Sequence, residues 1–302
     1  MKAAGTGGAS AMRHPLLSGV CLLFVSVWLS GETPLLAATP WEILIRQAQA
    51  MGLPTRFLQD VPPSFVGFEF EDLRQFAAEY HPESHRMVLN RALSLNGAGG
   101  TLKPLIKLTA PELGTLYHEL FHAYMDYLET QAGTEGSSES RHPLLAASRE
   151  FRACRYGQVE ITPVVSKKSI RESRYLTERE SWEALNETWG VFVGWKIWNT
   201  VQDHKRKHPL KSEKSPGAWL IQLKKADGEG ILVGYYEPQD PAERAKAPKR
   251  YLAPSFRISP REVSLLMEWI FERPGGDARQ IKEAMGAAVG SERSEGVCPP
   301  AA

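Results

Sequence analysis

The sequence predicts an α+β fold in which helices predominate over a small sheet. Three observations carry this. Apolar residues recur at helical spacing in most long segments, two of those segments open on a Thr-x-x-Glu or Ser-x-x-Glu capping pattern, and strand-like alternation is confined to short runs. Of the 302 residues, 42% are hydrophobic and 24% charged, which is ample material for a core. The formal charge of +1 gives no basic excess that would point to nucleic acid or an anionic membrane surface. No internal repeat is visible and no linker divides two regimes of composition, so residues 39–289 read as a single domain.

The N-terminus is set apart from that domain. Lys2 and Arg13 precede an apolar run from Leu16 to Leu29, short for a membrane span and suited to the core of an export signal. Ala37-Ala38 puts cleavage near Ala38, making residues 1–38 a signal peptide; left uncleaved, the same run would be a membrane anchor. Cys21 follows Val20, where lipid attachment wants a small residue, and is not read as a lipid site. Cleavage would remove Lys2, Arg13 and Glu32, leaving 264 residues of zero formal charge in a secreted or periplasmic protein. Cys154 and Cys298 would then be the remaining cysteines, a pair able to bond in an oxidising compartment and tie the tail to the body.

The elements follow in order. Trp41 to Met51 has helical spacing, and Glu71 to Tyr80 reads as a second helix after Pro54, Pro62 and Pro63. His85 to Leu93 alternates as a strand, and Asn96-Gly97-Ala98-Gly99-Gly100 reads as a turn. Residues 39–96 suit an N-terminal subdomain or a pro-region equally well. Thr109 stands three residues before Glu112, with Pro111 in the first turn, and opens a helix whose apolar pattern runs from Leu113 to Leu128. A polar loop from Gln131 to Ser140 separates it from a helix over Leu144 to Tyr156, and a long Trp-rich helix spans Thr177 to Val201. His204-Lys205-Arg206-Lys207-His208-Pro209 reads as a solvated basic loop, and Trp219 to Tyr236 as a hairpin around Asp227-Gly228-Glu229-Gly230. Ser259 and Glu262 cap a helix running to about Glu272, and residues 290–302 form a flexible tail.

The chemistry is concentrated in the capped helix, at His118-Glu119-Leu120-Phe121-His122. Histidines four apart lie on one helical face and can converge on one metal ion, while the glutamate between them can reach a water at that ion without being a ligand. The rest of this helix is apolar nearly all round, and three ionisable side chains buried there need a partner, for which a metal ion is the simplest.

These residues, on a helix that follows a strand and a turn, resemble the zincin metallopeptidases. The resemblance implies a zincin-like domain with its small sheet next to the active-site helix, bound Zn2+, His118 and His122 as ligands and Glu119 as general base. The metzincin extension is absent, since Met125 and Leu128 occupy the positions of its glycine and histidine. Asp126 shares the helical face, but residues 118 to 126 span about 12 Å of helix, too far for a common ion, and it is better placed to hydrogen-bond a ligating imidazole. Asn186-Glu187 is similar to the Asn-Glu pair that supplies the third ligand in gluzincins. Glu187 is therefore the expected third ligand, with Glu183 second and His142 an outside candidate. Glu180, Glu183, Glu187, Gly190 and Gly194 share one face, and the two glycines would let that helix lie close against the metal helix. The interval from His122 to Glu187 is long for a thermolysin-like peptidase, so residues 131–176 would be an insertion.

The expected activity is an exported zinc metallopeptidase acting on a peptide or protein substrate, with Glu119 taking a proton from water. The alternatives are a secreted metal-binding protein without turnover, or a zinc hydrolase of a non-peptide amide. Gluzincins usually add a Tyr or His donor for the oxyanion, and Tyr175, Tyr235, Tyr236 and His142 all remain open for that role.

Overall fold

Thr39 opens the first helix: its hydroxyl accepts the Glu42 N–H, and the Glu42 carboxylate accepts the Thr39 N–H. This helix, α1 (Pro40–Ala50), buries Trp41, Leu44 and Ala48 along one face. It begins a computed structural model that describes residues 38–74, 76–96, 99–133, 142–164, 170–206, 218–273 and 278–286. After the short α2 (Arg56–Gln59) come β1 (Gly67–Glu71), β2 (Ala78–His81) and β3 (Arg86–Asn90). They form a sheet of order β1-β3-β2, with β3 parallel to β1 and antiparallel to β2. β2 is an outer strand and packs on α3 (Ala110–Ala132). The architecture is α+β and mainly helical, as the sequence predicts.

The helix expected over Glu71 to Tyr80 does not form; the end of β1 and most of β2 occupy that stretch. Phe68 and Phe70 face inward while Glu69 and Glu71 face out, a period of two that a helix cannot serve. Asn90 then donates its side-chain N–H groups to the carbonyls of Leu73 and Phe76, pinning the connection between the strands.

α3 opens on the Thr109–Glu112 capping box and buries Leu113, Leu116, Tyr117, Leu120, Phe121 and Tyr124. α4 (Pro143–Cys154) and the antiparallel pair β4 (Gln158–Ile161) and β5 (Glu172–Tyr175) lead to α5 (Glu178–Arg206), which packs extensively along α3. The two helices touch backbone to backbone where Gly114 and Gly194 meet. A Cβ on Gly194 would lie 2.7 Å from the Gly114 carbonyl oxygen, and one on Gly114 would lie 3.0 Å from the Gly194 oxygen.

The stretch expected as a hairpin from Trp219 is also corrected. It holds α6 (Ala218–Gly228), because Trp219, Leu223 and Ala226 repeat at helical spacing toward the core. Asp227-Gly228 is the end of that helix and not the tip of a turn, and Gly230, at φ +65°, carries the chain away. Tyr235 and Tyr236 do form a strand, β6 (Tyr235–Tyr236), but its partner is β7 (Arg250–Tyr251), beyond α7 (Pro241–Lys246). α8 (Pro260–Trp269) opens on the Ser259–Glu262 capping box, and α9 (Ala278–Gly286) packs on α6 and α8.

Glu262 does more than cap. It is fully buried, and its Oε1 accepts from the Tyr156 hydroxyl (2.8 Å) and the Trp189 indole N–H (2.9 Å) while Arg155 Nε lies 3.3 Å from Oε2. One charged group thus joins α8 to α5 and to the end of α4, with enough donors around it to offset its burial. A single hydrophobic cluster runs from Trp41, Phe57 and Leu89 to Phe121, Trp189 and Val263.

Residues up to 37 of the expected export signal, residues 134–140 of the polar segment, residues 207–209 of the basic stretch and the expected C-terminal tail lie outside the described residues; residues 204–206 continue α5. Cys154 is disulfide-bonded, and Cys298 lies outside the described residues. Among the described residues no helix is long and apolar enough to cross a membrane.

The α3–α5 contact leaves no room for a side chain. Gly194→Ala should destabilise the protein by about 1–3 kcal/mol, as overpacking does, even though alanine favours helix by up to about 1 kcal/mol. Urea unfolding monitored by circular dichroism measures the change.

Candidate metal centre

His118 and His122 stand one turn apart on α3, and Glu187 faces them from α5. The three offer ligand atoms that all lie within 4.8 Å of one another. His118 Nε2 is 3.2 Å from one Glu187 oxygen and His122 Nε2 is 3.3 Å from the other, so the carboxylate spans both rings. The rings are nearly perpendicular, at 81°, with centroids 4.6 Å apart. Gly190, one turn beyond Glu187, makes this possible. A Cβ there would sit 3.1 Å from atoms of both imidazoles, so any larger residue presses on the pair.

The donor set fits a metal ion. His122 Nε2 and Glu187 Oε2 are buried without a hydrogen-bond partner, a costly state for polar atoms in an interior. A cation between two imidazoles and a carboxylate would satisfy them, and that set suits a transition metal. His118, His122 and Glu187 can hold one ion.

The metal-free charges are tightly balanced. Burial alone would depress the His122 imidazolium, but the charge and close approach of Glu187, then the charge of Glu119, outweigh it and hold the group up at about 9. Burial likewise works against the Glu187 carboxylate, and the two histidines overcome it, holding Glu187 well below the usual carboxylate range. Asn186 lies close enough to His122 to add to its proton affinity.

Glu119 sits beside the trio without joining it. Its Oε2 accepts the backbone N–H of Tyr80 on β2 at 2.9 Å, which fixes the carboxylate against the sheet edge. Burial raises its proton affinity, opposed by the two histidines and the Tyr80 N–H and helped by the charge of Glu187. The result is a carboxylate close to the trio, inclined to take a proton.

The other residues weighed from the sequence lie elsewhere. Asp126 bonds to neither imidazole of the trio. It accepts from the Tyr80 hydroxyl (2.5 Å) and pairs with His85 Nδ1 (2.7 Å), clamping β2 and the turn after it to α3. Eight residues of helix carry Asp126 beyond the trio and opposite the strand instead. Glu183 is turned toward Glu237, and burial, moderated by the Glu237 backbone N–H, raises it to about 7. His142 caps α4: its Nδ1 accepts the Leu144 N–H at 3.3 Å, its Nε2 lies 3.2 Å from the Tyr124 hydroxyl, and its ring meets Trp269 edge-on.

Of the tyrosines, Tyr175 is 81% exposed and Tyr236 is buried among other groups, while Tyr235 faces the trio. Burial raises the Tyr235 phenol, with the charges of Glu187 and Glu119 and a hydrogen bond to Glu187 adding to it, so it stays a neutral O–H donor. Gly234 brings it there. A Cβ on Gly234 would lie 2.5 Å from the Thr188 backbone N, so β6 rests directly on α5 beside Glu187. Sequence reasoning missed Tyr80, which acts through its backbone N–H, and Lys249, whose ammonium donates to the Tyr235 hydroxyl at 2.7 Å. Gly234 next to two tyrosines is the one local signal that marks this strand.

No protein-family model matches the chain, and no curated protein or solved structure matches it.

Three outcomes follow from this geometry. Glu187→Gln should lose tightly held metal while Glu183→Gln keeps it, as read by metal content after dialysis. Metal uptake at pH 7 should release close to one proton from His122, measured by calorimetry in buffers of differing ionisation enthalpy. The raised imidazolium also stabilises the metal-free fold below the unfolded value of about 6.5 and ceases to do so as pH climbs through about 9. Metal-free stability should therefore fall across that interval.

Proposed function

We propose that this protein is an exported zinc metallopeptidase whose centre is His118, His122 and Glu187, with Glu119 as general base. One observation carries the reading: Glu119 stands beside a three-ligand trio, outside it, and is held in place by the Tyr80 N–H. A purely structural site needs ligands but no base, and structural zinc sites take four protein ligands where catalytic ones take three. A zinc ion in such a site supplies Lewis acidity, polarising a carbonyl and making a water acidic near neutral pH.

The chain's own groups do the rest. Glu119 removes a proton from the water that attacks and returns it to the departing amine; its raised proton affinity suits both halves of that exchange. Tyr235, kept protonated, donates to the oxygen on which charge develops. Asp126 and His85 keep Tyr80 in place, so the N–H that aims Glu119 does not drift. A peptide substrate is favoured over other amides by β2, an outer strand next to Glu119, along which an extended chain can add. Export rests on the N-terminal apolar run alone.

Metal content and hydrolysis of a peptide library by wild type and Glu119→Gln test the proposal. The variant should keep zinc and lose on the order of 10²–10⁴-fold in rate. A wild type that binds zinc and cuts nothing would leave a metal-binding protein without turnover. Tyr235→Phe should lower kcat by about 10²-fold or more with little change in KM, as loss of a donor used in the transition state does.

A further inference from the structure

We infer that Lys249 forms a carboxylate-binding subsite beside the metal centre, so that the preferred substrate carries a carboxylate close to the bond that is cut; this rests on the peptidase reading above. Lys249 directly precedes β7, and the β6–β7 pairing sets Tyr235 opposite Tyr251 and Tyr236 opposite Arg250. Its ammonium donates to the Tyr235 hydroxyl at 2.7 Å and lies over the Tyr235 ring, 4.1 Å from the centroid. On its other side, 5.6 Å away, is the ring of Phe76, in the segment that enters β2. Lys249 therefore bridges the two flanks of the centre: β6, which rests on α5, and the approach to β2, which packs on α3.

What sets this lysine apart is the lack of a counter-ion. Neighbouring cations are paired, Arg250 and Lys246 with Glu243, and Arg174 with Glu172 and Glu243. Lys249 forms no ion pair with any carboxylate among the described residues. It is half-buried, held by one neutral hydroxyl and two aromatic faces, and among the described residues one of its three N–H donors has a partner. A half-enclosed cation without a counter-charge is costly to keep unless something supplies one. The negative charges that act on Tyr235 are those of Glu187, Glu119 and Glu183; none of the three is ion-paired with Lys249, and a metal ion in the trio would offset the first two.

The spacing suits a substrate carboxylate. Tyr235 lies close to Glu187 and accepts from the Lys249 ammonium at 2.7 Å, so the ammonium lies one phenol away from the metal ligands. An extended chain advances about 3.5 Å per residue, so a carboxylate one or two residues past a carbonyl beside Tyr235 falls within reach. A single ammonium is a point charge suited to one carboxylate, and the site has no arginine fork of the kind that favours phosphate. Phe76, 48% exposed, gives the residue bearing the carboxylate an apolar wall.

The carboxylate can be the terminal one of a peptide or an acidic side chain, and binding measurements separate these. The probes are three compounds with a hydroxamate at one end to take the metal: a hydroxamoyl-Leu-Leu free acid, its C-terminal carboxamide, and the carboxamide in which the last residue is Glu. Affinities are measured by calorimetry on zinc-loaded wild type, Lys249→Met and Lys249→Arg, with zinc content and melting temperature checked for each. The free acid should bind wild type at least about tenfold tighter than its carboxamide, as expected for a charge-assisted hydrogen bond. Lys249→Met should abolish that difference and Lys249→Arg retain most of it. If the Glu carboxamide gains as much as the free acid, the subsite takes either carboxylate; if it gains nothing, it takes the terminal one. Equal binding of all three to wild type, or an unchanged acid preference in Lys249→Met, overturns the subsite while leaving the peptidase reading intact. Failure of every hydroxamate to bind, or of zinc to load, overturns both.

Discussion

Where α3 and α5 cross, Gly114 and Gly194 let the two backbones touch, and the geometry of the metal centre depends on that approach. A helix pair held apart by ordinary side chains has axes 8–10 Å apart, and the short arm of a glutamate would not span both imidazoles. Here the glycines lower that distance at one end of the contact, and Gly190 extends the bare strip to the histidine rings. Glu187, one turn before Gly190, is thereby set between His118 and His122. The glycines carry no chemistry themselves; they determine whether three ligand atoms converge.

The same approach explains the electrostatics. His122, Glu119 and Glu187 are enclosed together and poorly solvated, and burial alone would drive each of them toward its neutral form. Together they compensate one another: His122 holds its proton because Glu187 is ionised, and Glu187 stays ionised because the histidines face it. Such a cluster is poised for a cation, which can replace the proton on the imidazole without exposing the carboxylate to an apolar surrounding. Glu119 is held apart from this exchange by its bond to the sheet edge.

Support for the centre comes from behind as well as from the sides. Glu262 ties Trp189, two residues beyond Glu187, to Tyr156 and α8, so that stretch of α5 is fixed on its far face. Gly234 then allows β6 to lie on the helix and deliver Tyr235. On the opposite flank, Asp126 gathers Tyr80 and His85. His85 itself sits at φ +51°, a left-handed conformation that strains any residue with a Cβ, and its bond to Asp126 helps to hold it.

Much of this was legible in the sequence where the determining signal is local. The capping boxes at Thr109 and Ser259, the helical spacing of α1, α3, α4 and α5, and the four-residue interval of His118 and His122 are all set by a few neighbouring residues, and the helical periods outweigh any alternative there. Glu187 was marked by the Asn186-Glu187 pair and by a helix face that it shares with two glycines, and the structure sets it against both histidines. Where the signal was weaker, tertiary partners decided. The run from Glu71 to Tyr80 became strands because β3 lies between β1 and β2 and Asn90 pins their link, and Trp219 to Gly228 became helix because its apolar face meets α9 and the core. Asp126 faces a strand 46 residues earlier, at Tyr80, and Tyr235 and Lys249 reach the centre from far along the chain. Sequence thus determined the helices and the spacing of the candidate ligands within them, since those depend on spacing along one element. Only the tertiary structure decided which backbone N–H, phenol and ammonium surround the centre, because such contacts depend on how separate elements close upon one another.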